Sequence, residues 1–191
     1  METGTLISRA SERLGIGTLT PMQSEMARIK LPCRTLLLSP TGSGKTLAFA
    51  IALLRSIKSG SPDVKALVLA PTRELALQVY EVIRSLARPE FKTIALYGGH
   101  KFDTETKSLE AGADIVVATP GRLLDHIQRG SVNVHNVSVL VLDEYDKSLE
   151  LGFLAEMRSI AGRLKNMKSL ILTSATRLAD MPDFLGTAPI K

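Results

Sequence analysis

The sequence predicts an α/β domain of three layers, with a mostly parallel central sheet and helices on both faces. Three observations carry that expectation. Six short runs, over 35–38, 65–70, 93–97, 114–119, 137–142 and 169–173, set apolar residues side by side, as in Ala66-Leu67-Val68-Leu69-Ala70. Strands that lack polar alternation are buried on both faces, which is the condition of a parallel sheet. Stretches of helical period lie between the runs, and a glycine-rich turn joins the first run to the first long helix. Such an alternation winds into right-handed β-α-β units, because a right-twisted strand returns through a helix onto the sheet in one hand only.

In order along the chain, the first 30 residues read as helical segments outside the sheet. They are interrupted over 15–21, where Gly15, Gly17 and Pro21 favour a turn. The first strand follows at 35–38, then a helix over 45–57 and a second strand at 65–70. The stretch 73–86 carries Leu75, Val79, Val82, Ile83 and Leu86 at close to a 3.6-residue period, so it forms an amphipathic helix. Strands at 93–97 and 114–119 come next. A short helix over 122–128 is closed by Gly130, and strands at 137–142 and 169–173 complete the sheet. There is no internal repeat and no low-complexity segment. With 191 residues the chain suffices for one domain with a real core, spanning 1–191 with 1–30 as an extension.

Composition narrows the function classes. Apolar residues make up 45%, yet no apolar run approaches the roughly 18 residues of a bilayer span, and the N-terminus lacks a secretory signal pattern. The single cysteine, Cys33, excludes an intrachain disulfide. His100, His126 and His135 are scattered without metal-ligand spacing and read as surface or packing residues. Met22, Met26, Met157 and Met167 read as core filler. These features suit a cytoplasmic monomer that does not engage a membrane. The formal charge of +5 and pI near 9.5 are compatible with a polyanionic partner and equally with an ordinary basic surface.

The sharpest chemistry lies at 39–46, Ser39-Pro40-Thr41-Gly42-Ser43-Gly44-Lys45-Thr46, between the first strand and its helix. Gly42 and Gly44 permit backbone geometry closed to larger residues, so that amide N–H groups can face an anion. The helix N-terminus adds partial positive charge. Lys45 can reach outer phosphates as a point charge, and the Thr46 hydroxyl can sit on Mg²⁺. Thr41, Gly42, Ser43, Gly44, Lys45 and Thr46 are therefore the candidate triphosphate cradle. A Mg²⁺ site also needs a carboxylate. Asp143 and Glu144 end the run 137–142 and should emerge at the carboxyl edge of the sheet, where ligands bind in open α/β folds. Asp143 is the candidate Mg²⁺ partner. Glu144 is the candidate for orienting or deprotonating the attacking water.

With these residues in hand, the chain resembles the first RecA-like domain of the DEAD-box ATP-dependent RNA helicases, over about 15–191. Residues 39–46 look like the family's motif I, Pro71-Thr72-Arg73-Glu74-Leu75-Ala76 like motif Ia, Gly98-Gly99 like its GG element and Thr119-Pro120-Gly121-Arg122 like motif Ib. Asp143-Glu144-Tyr145-Asp146 sits at motif II and Ser174-Ala175-Thr176 at motif III. The resemblance implies a RecA-like P-loop NTPase fold, ATP and Mg²⁺ as ligands, and catalytic roles for Lys45, Asp143 and Glu144. It also implies coupling of nucleotide to RNA through Asp146, Ser174 and Thr176. Three positions depart from the family pattern. Ser39 and Tyr145 stand where alanine is usual, and Ile16 stands where an aromatic usually packs on adenine. The stretch 15–23 resembles the Q motif, and Gln23 carries a donor and an acceptor that match adenine's N6 and N7 edge. Loss of a stacking partner costs about 0.5–1.5 kcal/mol, so the expectation is weak ATP binding with adenine selectivity kept by Gln23.

Pro71, Thr72, Arg73, Gly98, Gly99, Thr119, Pro120, Gly121 and Arg122 each follow an expected strand and so should share the carboxyl edge. Singly, each is ordinary turn or capping chemistry. As a set, by family resemblance, they grip the backbone of single-stranded RNA without reading bases. Only 4% of residues are aromatic, which does not suggest a stacking platform. The sequence stops shortly after the motif III residues. The expectation is therefore an N-terminal half without the second RecA-like domain and its arginine finger, a group that supplies about 10³–10⁵ in rate. Such a half should bind nucleotide and hydrolyse it only when joined to that second domain. A catalytically degenerate, nucleotide-gated RNA-binding module is the alternative, supported by Tyr145 alone. A DNA helicase is a third reading, opposed by Gln23 and by 71–76.

Overall fold

Six strands, all paired in parallel, form one sheet in the order β1-β6-β5-β2-β4-β3. They are β1 (Arg34–Leu38), β2 (Ala66–Leu69), β3 (Thr93–Leu96), β4 (Ile115–Ala118), β5 (Val139–Leu142) and β6 (Ser169–Ser174). The computed structural model describes residues 1–58, 63–177 and 184. Every expected strand is present; β1 and β6 each run one residue longer than expected, and the other four are one or two residues shorter. The part of the resemblance that falls on 178–183 and 185–191 lies outside the described residues.

Both faces of the strands are apolar, and alternate residues serve opposite cores. In β2, Val68 points into one core while Leu67 and Leu69 point into the other, each at most 1% exposed. This is why the runs read as continuous rather than alternating. The first core is covered by α1 (Thr3–Leu14), α2 (Pro21–Arg28), α3 (Lys45–Ser56) and α4 (Arg73–Ala87). The second is covered by α5 (Phe102–Glu110), α6 (Pro120–Gln128), α7 (Tyr145–Glu150) and α8 (Leu154–Ala161). The helix α3 is buried almost all round, from Leu47 to Leu54, which its unbroken apolar sequence allows. Met26 and Met157 fill the two cores as expected, at 2% and 1% exposed. Cys33 is buried. Among the described residues no helix is long and apolar enough to cross a membrane.

The α1 helix is tied down by charge as well as by Leu6 and Ala10. Arg9 meets Glu90 with both terminal nitrogens, at 2.7 and 2.6 Å, and donates to the Leu86 carbonyl at the end of α4. The α2 helix opens on a reciprocal cap. The Thr20 hydroxyl accepts from the Gln23 amide, and the Gln23 side chain accepts from the Thr20 amide. That cap fixes the Gln23 side chain before any ligand is considered.

Candidate functional site

Because all six strands are parallel, the loops that follow them emerge on one edge. The register sets the strand ends in two levels: Leu69 is level with Leu142 and Ala118, and Leu96 with Ala118, while Leu142 is level with Leu172, so that Leu38 and Ser174 stand two residues farther out. The segments singled out at 39–46, 71–73, 98–99, 119–122, 143–146 and 174–176 therefore share this side, as the sequence implied.

The loop between β1 and α3 is held open by two left-handed glycines, Gly42 at φ 80° and Gly44 at φ 84°. Gly44 is the N-cap of α3 and supplies no capping side chain, so the first-turn amides of the helix remain free donors. Lys45 is buried at 6% exposed, and its ammonium donates to the carbonyls of Ser39 and Pro40. To meet a phosphate it must exchange those two carbonyls for phosphate oxygens. The Ser43 hydroxyl is buried without a partner among the described residues. Gln23 closes the loop from the side, its amide nitrogen donating to the Gly44 carbonyl at 3.2 Å. It lies so close that a Cβ on Gly44 would stand 2.4 Å from that nitrogen.

Asp143 and Glu144 follow β5, as expected. The β5 strand lies two places from β1, with β6 between them, so a residue of β6 can brace the pair. That residue is Thr173, which the sequence reading did not single out. Its hydroxyl donates to Asp143 Oδ1 at 2.6 Å and accepts from the Glu144 amide at 2.9 Å. Glu144 sits in the left-handed region at φ 45°, unusual for a residue with a side chain. Asp143 is 4% exposed, and burial pushes its carboxyl up to about 6. The Thr173 hydroxyl opposes that rise, nearby Glu144 adds to it, and Lys45 opposes it. A carboxyl placed this way is held ionised by a neighbouring cation. Thr41, Gly42, Gly44, Lys45, Thr46, Asp143 and Glu144 line one cavity of about 240 Å³, together with Leu75, Gln78 and Val79 of α4. The cavity thus brings together the expected phosphate cradle, apart from Ser43, and both expected acids, while Gln23 stands outside its lining. The Thr46 hydroxyl and the Asp143 carboxylate, a hard oxygen donor pair, fit a Mg²⁺ that takes its remaining ligands from phosphate and water.

The expected coupling residues also meet. Asp146 Oδ2 accepts from the Ala175 amide, the Thr176 amide and the Thr176 hydroxyl, each at 3.0 Å. The Ser174 hydroxyl donates to the Thr176 carbonyl. Burial alone would raise the Asp146 carboxyl. The hydrogen bonds from Thr176, with the Ser174 hydroxyl nearby, outweigh burial and hold it below the usual range. Tyr145 points away from the site into the second core. It is fully buried, and among the described residues its hydroxyl has no hydrogen-bond partner; burial pushes the phenol up to about 12.

Farther along the edge, Arg73 is exposed at the start of α4 and lies over the Tyr97 ring at 5.2 Å. It also touches the GG segment, since a Cβ on Gly99 would stand 3.2 Å from its guanidinium. Thr72 spends its hydroxyl capping α4 at Leu75. Thr119 is the N-cap of α6 without a side-chain bond, and Pro120 occupies the first turn, so this helix end keeps free donors. Pro71 is buried, Gly121 is half-buried, and Gly98 and Gly99 are exposed. Arg122, expected on the RNA surface, is engaged within the protein. Its Nε donates to Glu105 at 2.6 Å, another nitrogen donates to the His100 carbonyl, and the side chain is 16% exposed.

Glu105 itself was missed. At 2% exposed it accepts from the Tyr97 amide, Arg122 and His126, joining the segments after β3 and β4. His126 is fully buried and stacked on Phe102. The packing alternative for His126 holds, and the surface one does not. Only the placement of Glu105 four residues before Leu109 in a polar stretch hinted at burial.

Comparison with known proteins agrees with this geometry. The family model described as DEAD/DEAH box helicase matches residues 20–183. The chain is 37% identical over 187 residues to the DEAD-box ATP-dependent RNA helicase CshA of Bacillus subtilis, covering 97% of this chain and 36% of that protein. It is 41% identical over 176 residues to the ATP-dependent RNA helicase DeaD of Escherichia coli K12, covering 89% and 28%. The chain thus spans about a third of the length of these relatives. Among solved structures, a DEAD box protein from the hyperthermophile Methanococcus jannaschii superimposes with a TM-score of 0.81 at 35% identity, covering 95% of this chain and 49% of that one. The yeast DEAD-box splicing factor Prp28 gives 0.82 at 32%, covering 91% and 44%. From the phosphate loop to the link between Asp146 and β6, the chain belongs to the DEAD/DEAH box helicase family.

Proposed function

We propose that this chain is the ATP-binding, N-terminal RecA-like domain of a longer ATP-dependent RNA helicase. It takes Mg-ATP between 39–46 and Asp143-Glu144 and holds the backbone of single-stranded RNA along the carboxyl edge. The observation that carries the reading is the single cavity shared by the glycine loop, Lys45, Thr46 and both acids. Mg²⁺ would be held by Thr46 and Asp143, where it supplies charge against the outer phosphates. Lys45 exchanges the Ser39 and Pro40 carbonyls for phosphate oxygens and adds a second positive charge. Thr173 holds the Asp143 carboxyl and the Glu144 backbone in one orientation, which leaves the Glu144 side chain to orient water or take its proton.

Adenine selectivity rests on Gln23. Its amide oxygen is bonded to Thr20 and its nitrogen to Gly44, and each retains one further place, a lone pair and an N–H. Those two match the N7 acceptor and N6 donor of adenine. Gly98, Gly99, Arg73 and the open end of α6 present amides and charge to phosphates. Hydrolysis to ADP and phosphate needs charge that a second RecA-like domain supplies from across the site. The test is ATP hydrolysis by the longer protein with and without single-stranded RNA, alongside Glu144→Gln. RNA stimulation that the variant abolishes supports the reading. RNA-independent turnover, or turnover unaffected by the variant, contradicts it. Tyr145, which supports the alternative of a degenerate module, is packed in the second core and does not line the nucleotide cavity, which favours the enzyme reading.

A further inference from the structure

The β3 border of the sheet carries a second charged concavity, away from the nucleotide cavity. Among the described residues β3 pairs with β4 alone, so the other side of its backbone is open. The helices α4 and α5 rise on either side and leave a groove of about 470 Å³, lined among others by Tyr80, Arg84, Arg88, Lys92, Thr93 and Lys107. Every charged residue in that lining is basic. Arg84 is offset by Glu81 at 3.1 Å and lies over the Tyr80 ring. The Lys92 ammonium donates to the Ala111 carbonyl and makes no ion pair among the described residues. Among the described residues the Arg88 guanidinium and the Lys107 ammonium are held by no hydrogen bond or ion pair, and both residues are exposed. The Thr93 hydroxyl on the groove floor is buried and has no partner either.

Cations that converge on one groove repel each other, and a polyanion relieves that repulsion. The face of Tyr80 is taken by Arg84, so the groove offers charge to phosphates rather than a platform to bases. The open side of β3 leads from the groove towards the carboxyl edge, since the strand runs from Thr93 on the groove floor to Leu96, two residues before Gly98. At about 3.3 Å per residue the strand is only about 13 Å long. We propose that a single strand of RNA leaving Gly98-Gly99 continues along the β3 border, with its phosphates against Arg88 and Lys107. This inference rests on the reading of the carboxyl edge as an RNA surface.

The experiment measures binding of this chain to a long and a short single-stranded RNA over a range of salt, for the unaltered protein, Arg88→Ala/Lys107→Ala and Arg73→Ala. Near-ultraviolet circular dichroism confirms that each variant is folded. Losing two phosphate contacts lowers the slope of log affinity against log salt by about 1.4 for single strands. The expected result is that decrease with the long RNA and none with the short RNA for the double variant, while Arg73→Ala weakens both. If Arg73→Ala weakens binding and the double variant leaves the long-RNA slope unchanged, the groove inference fails and the carboxyl-edge reading stands. If Arg73→Ala has no effect or no RNA binds, the carboxyl-edge reading fails and the groove inference falls with it. If a polyglutamate peptide binds the unaltered groove but not the double variant, while the RNA slope is unchanged, the border is a site for acidic peptides and the inference is wrong.

Discussion

Tyr145 departs from its family's pattern with a side chain that lies outside the nucleotide cavity. Its ring fills the second core and its hydroxyl is buried with no partner among the described residues. Tyr145→Phe should therefore leave stability within about 1 kcal/mol or raise it, since it removes an unsatisfied group. Tyr145→Ala should cost about 3–5 kcal/mol by leaving a cavity. Urea denaturation of both variants checks the pair of values. Glu105 is the opposite case, a charge that the fold depends on. Burial alone would raise its carboxyl, but hydrogen bonds from His126, the Tyr97 amide and Arg122 outweigh burial and hold it below its ordinary value of 4.5. Its stabilisation is thus complete above 4.5 and is lost as pH falls through the lower folded value. Glu105→Gln should cost about 1–3 kcal/mol at neutral pH and flatten the acid limb of a stability–pH curve; a variant with the same acid limb as the parent contradicts this role. The sequence disclosed the loop at 39–46 because its chemistry is local, with glycines, lysine and threonine at fixed offsets. It hid Glu105 because Tyr97, Arg122 and His126 reach it from 8 to 21 residues away.

Among the elements, the six strands were legible because both faces are apolar, and α4 was legible through its strong period. The α5 helix was missed because only Glu105 and Leu109 are buried on it, and one of those is charged. The α7 and α8 helices were missed because they are six and eight residues long, too short to display a period. Yet α7 carries the link from the acids to β6 through Asp146. Asp146→Ala should speed hydrogen exchange at the Ala175 and Thr176 amides by about tenfold or more while leaving β5 amides protected. Unchanged exchange at those two amides would show that Asp146 does not hold the segment. The contact between α2 and α3 is equally specific. Gly44→Ala forces a left-handed residue to carry a side chain into Gln23, so it should abolish nucleotide binding while the strands persist by circular dichroism. Retained ATP affinity in that variant contradicts the tight approach.

At the scale of the whole molecule, parallel pairing turns six separate loops into one working edge. The strand order could not be read from sequence, since nothing in the runs says that β6 lies between β1 and β5. That order is what lets Thr173 brace Asp143 and Glu144, and what places both acids beside the phosphate loop. The central claim is that this cavity takes the phosphates of ATP, with Gln23 selecting the base. Calorimetric titration of the chain with ATP and with GTP in the presence of Mg²⁺, repeated on Lys45→Ala, tests it most directly. The account predicts saturable binding of ATP at one site, much weaker binding of GTP, and loss of ATP binding in the variant. Equal binding of ATP and GTP would contradict the role given to Gln23, and ATP binding unchanged by Lys45→Ala would contradict the site itself.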